Sequence, residues 1–455
     1  MRFRCYFIEH KATKPQRCFF RGAVLCAFMS LCTSQIVGQS WTMRQCMQYA
    51  VEHNHEVKRT ALELDNYKAN RTGAIGRYLP EVYAGIGAQY NFGRTIDPET
   101  NVYTDVSTFN NGYSLNASLP VFDGFSRLHA LKAARASVLM GHQAFRQKQS
   151  LIALKVLQAF VNVAYYEGLV KMAEEKVGET TLLLRQTRLL EDVGRKSAAD
   201  VAQVESQQAE ADYELTRQQN LLFTALLELK KEMNYPLTDS LRIGVGEIAD
   251  SDQRNFVSPP VNLNLSPEVL TAQYQMQVSK HEWHQARASL FPSLLLSAVL
   301  NTTYFHTLHS DAGPSFHEQF KNNMGEYVGV TLSIPLFNRL QTIVNIRKAK
   351  NNYRISRENY EQKQLELEIL SREAWQDWLG YQKQAVQMTH KVKADSLAYQ
   401  LTKRQFEEGL STAIDLHTVS SQLLKSKATL LQCQLMAVVK EQLVRYYNGQ
   451  TIWTE

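Results

Sequence analysis

Two nine-residue stretches, 192–200 and 407–415, constrain this chain more than anything else in it, because they are one stretch written twice. Gly194, Ser197 and Asp200 recur as Gly409, Thr412 and Asp415, each displaced by 215 positions. Glycine in the left-handed conformation ends a helix, and a Ser/Thr-x-x-Asp pair caps the first amides of the next. Each copy reads as the tip of a helical hairpin. The chain is therefore a duplicated unit rather than the several unrelated domains that 455 residues would allow.

The first 39 residues read as a signal peptide: six Lys/Arg and one Glu, an apolar run from Gly22 to Cys32, then small polar residues up to a cleavage position near 38–40. The basic front end is long, and a start codon placed too far upstream explains it equally well. Neither Cys26 nor Cys32 follows a small residue, which disfavours a lipid anchor. The leader carries five of the six units of formal net charge, so the remainder is nearly neutral and bulk charge gives no case for a nucleic-acid partner. It also holds four of the six cysteines; Cys46 and Cys433 are no disulfide framework and read as small buried helix residues.

Helical spacing over 41–77 (Met47, Ala50, Val51, Val57, Ala61, Leu64) predicts one helix of up to ten turns, ending at Leu79-Pro80. The period then drops to two. Val82, Ala84, Ile86, Ala88 and Tyr90 share one parity, Tyr83, Gly85, Gly87 and Gln89 the other, and after a polar loop of about twenty residues Tyr113, Leu115, Ala117, Leu119 and Val121 alternate in the same way. These are two strands of a hairpin. Past Phe125 no proline occurs before Pro236, and Val156, Val163, Val170, Val177 and Leu184 stand seven apart, with Val138, Phe145, Ile152 and Ala159 as a second row. A sustained heptad means coiled-coil packing. An irregular connector, 251–265 within the proline-bearing stretch 236–265, leads into a repetition of the programme. Phe291-Pro292 answers Leu79-Pro80, strands run through Leu294–Tyr304 and Val328–Leu336, and Trp378, Ala385, Val392, Tyr399 and Phe406 renew the heptads.

The expected layout is a signal peptide at 1–39, a first repeat at 40–250, the connector, and a second repeat at 266–455. The fold class is mainly α with β. Each descending arm has about 69 residues, roughly 100 Å at 1.5 Å per residue, while the return helix reaches about half as far. The helix before the strands supplies the missing half if it stacks end to end on the return helix. Four strands with one apolar face cannot close a barrel, and an open edge in hydrocarbon leaves backbone groups unpaired. Further strands have to come from other copies, eight from two chains or twelve from three.

This succession of leader, helix, Leu-Pro strand hairpin, Pro-x-Phe entry into a coiled-coil hairpin and Gly-x-x-Ser-x-x-Asp tip, all duplicated, resembles the TolC-like outer-membrane efflux protein family over essentially the whole mature chain. The resemblance implies a homotrimer with a twelve-stranded transmembrane β-barrel in outer-membrane lipid and a periplasmic α-barrel of helices. It further implies tips at Gly194 and Gly409 that face a periplasmic adaptor (membrane fusion) protein coupled to an inner-membrane transporter of the RND or ABC type. By the same resemblance Gly194, Lys196, Ser197, Asp200, Gly409, Thr412 and Asp415 become candidate adaptor contacts and gate residues. Helix capping alone accounts for the two aspartates, and Lys196 is matched by Ser411, so a basic partner stands in one repeat only.

No nucleophile elbow, P-loop, zincin pair or Cys-x-x-Cys motif occurs, so no enzyme and no cofactor is expected. His281 with His284, and His306 with His309 and His317, lack the cysteine or convergent carboxylate of a metal centre and read as solvent-facing or capping histidines. Trp375 and Trp378 read as packing anchors. An exported coiled-coil scaffold or adhesin is the competing reading, but it leaves the paired alternating strands unexplained. Drug efflux and protein secretion would use the same duct and look alike in sequence.

Overall fold

The computed structural model describes residues 40–96, 101–105, 107–244, 265–308 and 313–453. The expected leader, the connector up to 264, and His309 lie outside these. The first repeat comprises α1 (Met43–His53), α2 (His55–Gly76), β1 (Glu81–Asn91), β2 (Arg94–Ile96), β3 (Tyr103–Asp105), β4 (Thr108–Asp123), α3 (Ser126–Asp192) and α4 (Ala198–Met233). The second comprises α5 (Pro267–Ala288), β5 (Ser293–Thr307), α6 (Phe316–Asn322), β6 (Gly325–Ser333), α7 (Gln341–Glu407) and α8 (Ala413–Tyr447). The arms α3 and α7 each have 67 residues and keep the offset of 215 at both ends.

The helix expected over 41–77 is in fact two. Asn54 interrupts it, accepting from Glu56 N (2.8 Å) to cap α2 and donating Nδ2 to the Glu232 carbonyl (2.9 Å). Asn234, left-handed at the end of α4 (φ +57°), returns the bond to the His53 carbonyl (3.2 Å). The break exists because α1 runs beside the last turns of α4, burying Cys46, Met47 and Ala50 against Leu229 and Met233, so that α2 begins where α4 stops. End-to-end stacking of the short helices is thus obtained, with one extra overlapping helix.

The main core lies where α1, α3, α4 and α8 meet, with Phe160, Ile152, Val156 and Val163 fully buried among Leu229, Leu435 and Val439. Trp41 closes one side of it. Its backbone pairs with Arg242 and Gly244 (2.8 and 3.0 Å), and its ring meets Tyr49 and Tyr235 edge-on. Further down α3 the second heptad row continues as Ala173, Thr180 and Thr187, the threonines donating to carbonyls of the preceding turn.

The sheet is antiparallel in the order β1-β4-β5-β6, so β1 and β6 are its two edges. The loops hold more structure than the polar composition suggested. A small hairpin, β2 with β3, rises between β1 and β4, and α6 fills the second loop. Beyond Gly325, the first residue of β6, Gln319 continues the ladder along β5, exchanging two 2.9 Å bonds with the Phe305 backbone, and Asn323 donates to the Thr303 carbonyl (2.8 Å). That edge of β5 is satisfied by side chains instead of a strand.

Candidate functional site: sheet faces and hairpin tips

Alternation along four paired strands sorts the sheet into two unlike faces. One carries the rows Val82–Ala117–Ala298–Val328 and Leu119–Leu296–Val330; the other carries Gly85–Ser114–Asn301–Gly325 and Gly87–Gly112–Thr303. The apolar face is bare in the single chain, with Ile86 and Val328 each 75% exposed. An apolar outer face and a small, polar inner face are the requirements of a wall between lipid and water.

At the opposite end the two tips are built as their spacing demands. Gly194 (φ +76°) and Gly409 (φ +81°) take the left-handed position, where any side chain would be strained. Ser197 Oγ accepts from Asp200 N (3.2 Å) and the Asp200 carboxylate accepts from Ser197 N (3.0 Å); Thr412 and Asp415 repeat the exchange at 3.1 and 3.1 Å. Donation to the carboxylates, from the Ser197 backbone N–H first at Asp200 and from the Thr412 hydroxyl (2.6 Å) first at Asp415, holds both carboxyls below the usual carboxylate range. The Ser411 hydroxyl also donates to Asp415 (3.3 Å).

Lys196 does not pair with an aspartate of the other tip. Its ammonium sits 4.1 Å from the centroid of the Phe406 ring. Phe406 is 2% exposed and packs with Val204, Ala413 and Leu416, so first- and second-repeat tips share one small apolar core. Gln207 Nε2 donates to the Ala413 carbonyl (3.2 Å), Lys176 to Ser420 Oγ (2.6 Å) and Tyr399 Oη to Glu179 (3.1 Å), all three between repeats. Burial lowers the Lys176 pKa, with Glu179 and Glu210 opposing. Sequence reasoning had Phe406 as a heptad residue and missed it as the keystone of the tips. Its position three residues before Gly409 was the available signal.

His281 and His284 are joined by His129 of α3, at ring separations of 6.0 and 5.0 Å. Among the described residues no group of three or more His, Cys, Asp or Glu is arranged to hold a metal ion.

A profile of the outer membrane efflux protein family matches residues 46–234 and again 260–448, one match for each copy of the unit. The chain belongs to that family. Its relatives include the probable efflux pump outer membrane protein TtgC of Pseudomonas putida, 23% identical over 419 residues, which are 88% of this chain and 81% of that protein. Among solved structures it resembles CusC (TM-score 0.78, 16% identity, 90% of this chain and 92% of that one). It also resembles VceC of Vibrio cholerae (TM-score 0.76, 14% identity, 90% and 96%). At such identities the likeness establishes the fold, and the family establishes the place and the role. This outer membrane efflux protein is a passive exit duct of the outer membrane, its sheet in the bilayer and its helices on the periplasmic side. The scaffold reading falls with that assignment.

Proposed function

We propose that three copies join their sheets edge to edge, β6 of one beside β1 of the next, into a twelve-stranded barrel, and that their hairpins, one from each of the repeats 40–250 and 266–455, close into a periplasmic tube. The observation that carries this is the open sheet: two unpaired edges and a bare apolar face cannot persist in hydrocarbon, where every backbone group needs a partner. The chain does no chemistry in this reading. A pump of the RND or ABC type in the inner membrane supplies the energy, and a periplasmic adaptor meets the tips around Gly194, Lys196, Ser197, Asp200, Gly409, Thr412 and Asp415. The cargo is small molecules or polypeptides, a range supported by relatives named for an efflux pump, TtgC, and for secretion of an alkaline protease, AprF of Pseudomonas aeruginosa. Light scattering and electron microscopy of the detergent-purified protein test the assembly: a trimer with a tube of about 100 Å beyond the detergent belt is expected from the 1.5 Å helical rise. A monomer or dimer without a belt refutes it.

A further inference from the structure

The charge of this chain is segregated in a way that neither the repeat nor the duct requires. Consider the ten residues of each long helix nearest the sheet together with the residues joining helix to strand, namely 67–80, 124–135, 279–292 and 334–350. They contain twelve Lys/Arg and a single acidic residue, Glu282, whereas acidic residues outnumber basic ones through the rest of 40–455. All twelve except Arg127 are exposed. Among the described residues only Lys68 and Arg127 have a carboxylate ion partner, Asp65 and Asp123. So dense a set of cations at one level of a protein calls for counter-charge from outside it.

Aromatic rings interleave with these cations. The Arg127 guanidinium lies 5.0 Å from the Tyr78 ring centroid, and Arg287 and Lys350 lie 5.7 and 5.8 Å from that of Trp283, which stacks on Tyr353. Immediately on the sheet side come exposed apolar residues, among them Leu79, Phe291, Leu336 and Phe337. Passing from sheet to helix, the surface changes from apolar, at Leu79, Phe291, Leu336 and Phe337, to cationic with aromatic rings set among the cations. A bilayer leaflet changes in the same sense, from hydrocarbon to a headgroup zone in which aromatic and basic side chains sit together.

We infer that the four helix ends beside the sheet form a basic collar that binds anionic phospholipid headgroups of the periplasmic leaflet, fixing the depth at which the duct sits. The inference rests on the outer-membrane placement of the sheet, and charge complementarity together with continuity with the lipid-facing surface selects lipid as the occupant.

The test uses the full-length protein in nanodiscs of phosphatidylcholine containing about a third phosphatidylglycerol, with retained lipids counted by native mass spectrometry. Phosphatidylglycerol should be enriched at least about fivefold over its share, and molar salt should abolish the enrichment. A variant with Arg71→Gln, Lys132→Gln, Arg135→Gln, Lys280→Gln, Arg347→Gln and Lys348→Gln should lose it, while exchanging Lys for Arg and Arg for Lys at the same six positions should keep it. If the neutral variant does not assemble, the wild-type salt series and the charge-keeping variant decide. Equal retention of both lipids by an assembled wild-type channel overturns the collar and leaves the duct standing. So does a neutral variant that loses anion preference in planar-bilayer recordings with its lipid enrichment intact, since the cations would then serve an anionic cargo in the lumen.

Discussion

Removing the ring of Phe406 should loosen both tips at once, although the residue belongs to the second repeat. Phe406→Ala empties a site that is 2% exposed and removes the face on which Lys196 rests. Phe→Ala in a packed core costs about 3–5 kcal/mol, and an exposed cation–π contact adds about 0.5–1. The tip core is small, Val204, Ala413 and Leu416 being its other buried members, so the loss falls on local opening of the tips rather than on the whole chain. At 1.4 kcal/mol per decade, amide protection of the last turn of α3, the first turn of α4 and the matching turns of α7 and α8 should fall by about a hundredfold or more. Hydrogen exchange with mass spectrometry reads this peptide by peptide, and the helices around Phe160 serve as the internal control. Lys196→Met should reproduce only the small part, less than about fivefold. The reasoning is refuted if exchange accelerates in the second tip alone, because Phe406 would then not be holding Lys196 and Val204. It is refuted equally if neither tip changes by more than about threefold.

Gly124→Ala should abolish assembly, since a Cβ there would stand 2.5 Å from the Ala288 carbonyl oxygen and 2.7 Å from Phe291 Cβ at φ +64°, whereas Gly194→Ala meets no atom and should cost only about 1 kcal/mol of backbone strain; heat-modifiable gel mobility separates the two. Asn54→Ala removes a cap and the bond to Glu232 and should lower stability by about 1–2 kcal/mol, while Asn234→Gly keeps the left-handed backbone and should cost less; differential scanning fluorimetry ranks them. Burial, and then the neighbouring cations and imidazoles, lower the pKa values of His129, His281 and His284, so the fold disfavours their charged form. Their unfolded value is about 6.5, so the unfolded chain binds more protons as pH falls below it, and stability present above about pH 6.5 is lost on acidification. Replacing all three by Gln should flatten the dependence of the unfolding temperature on pH below about 6.5; an unchanged slope rejects the assignment.

Much of this molecule is legible in its sequence because its determinants are local and periodic. The 215-residue offset needs only Gly194 and Gly409 to be seen, heptads such as Val156 and Val163 need only a count of seven, and the strand faces follow from parity at Val82 and Tyr83. What was not legible depended on contacts between distant segments. Asn54 breaks a helix that its own neighbours favour, because α4 occupies the line ahead and offers the Glu232 carbonyl. The capping bonds engage both carboxylates, and Lys196, which acts on Asp200 only through its charge, rests its ammonium on the face of the Phe406 ring, in the other repeat. Thr180 and Thr187 are buried in a heptad row where apolar residues are expected, and only their bonds to the preceding turn make that tolerable.

The equal length of α3 and α7 has a consequence for how such a duct can change over generations. A heptad inserted in α3 and matched in α4 would carry the first tip about 10 Å beyond the second and pull Val204 away from Phe406. Matching it again in α7 and α8 restores the contact. Four concerted insertions are thus the smallest step by which the hairpins can lengthen, and each intermediate step separates the tips. Side chains are free to drift until the two repeats share little but their caps, as Lys196 and Ser411 already have, while the length of the arms stays locked by a core of four residues.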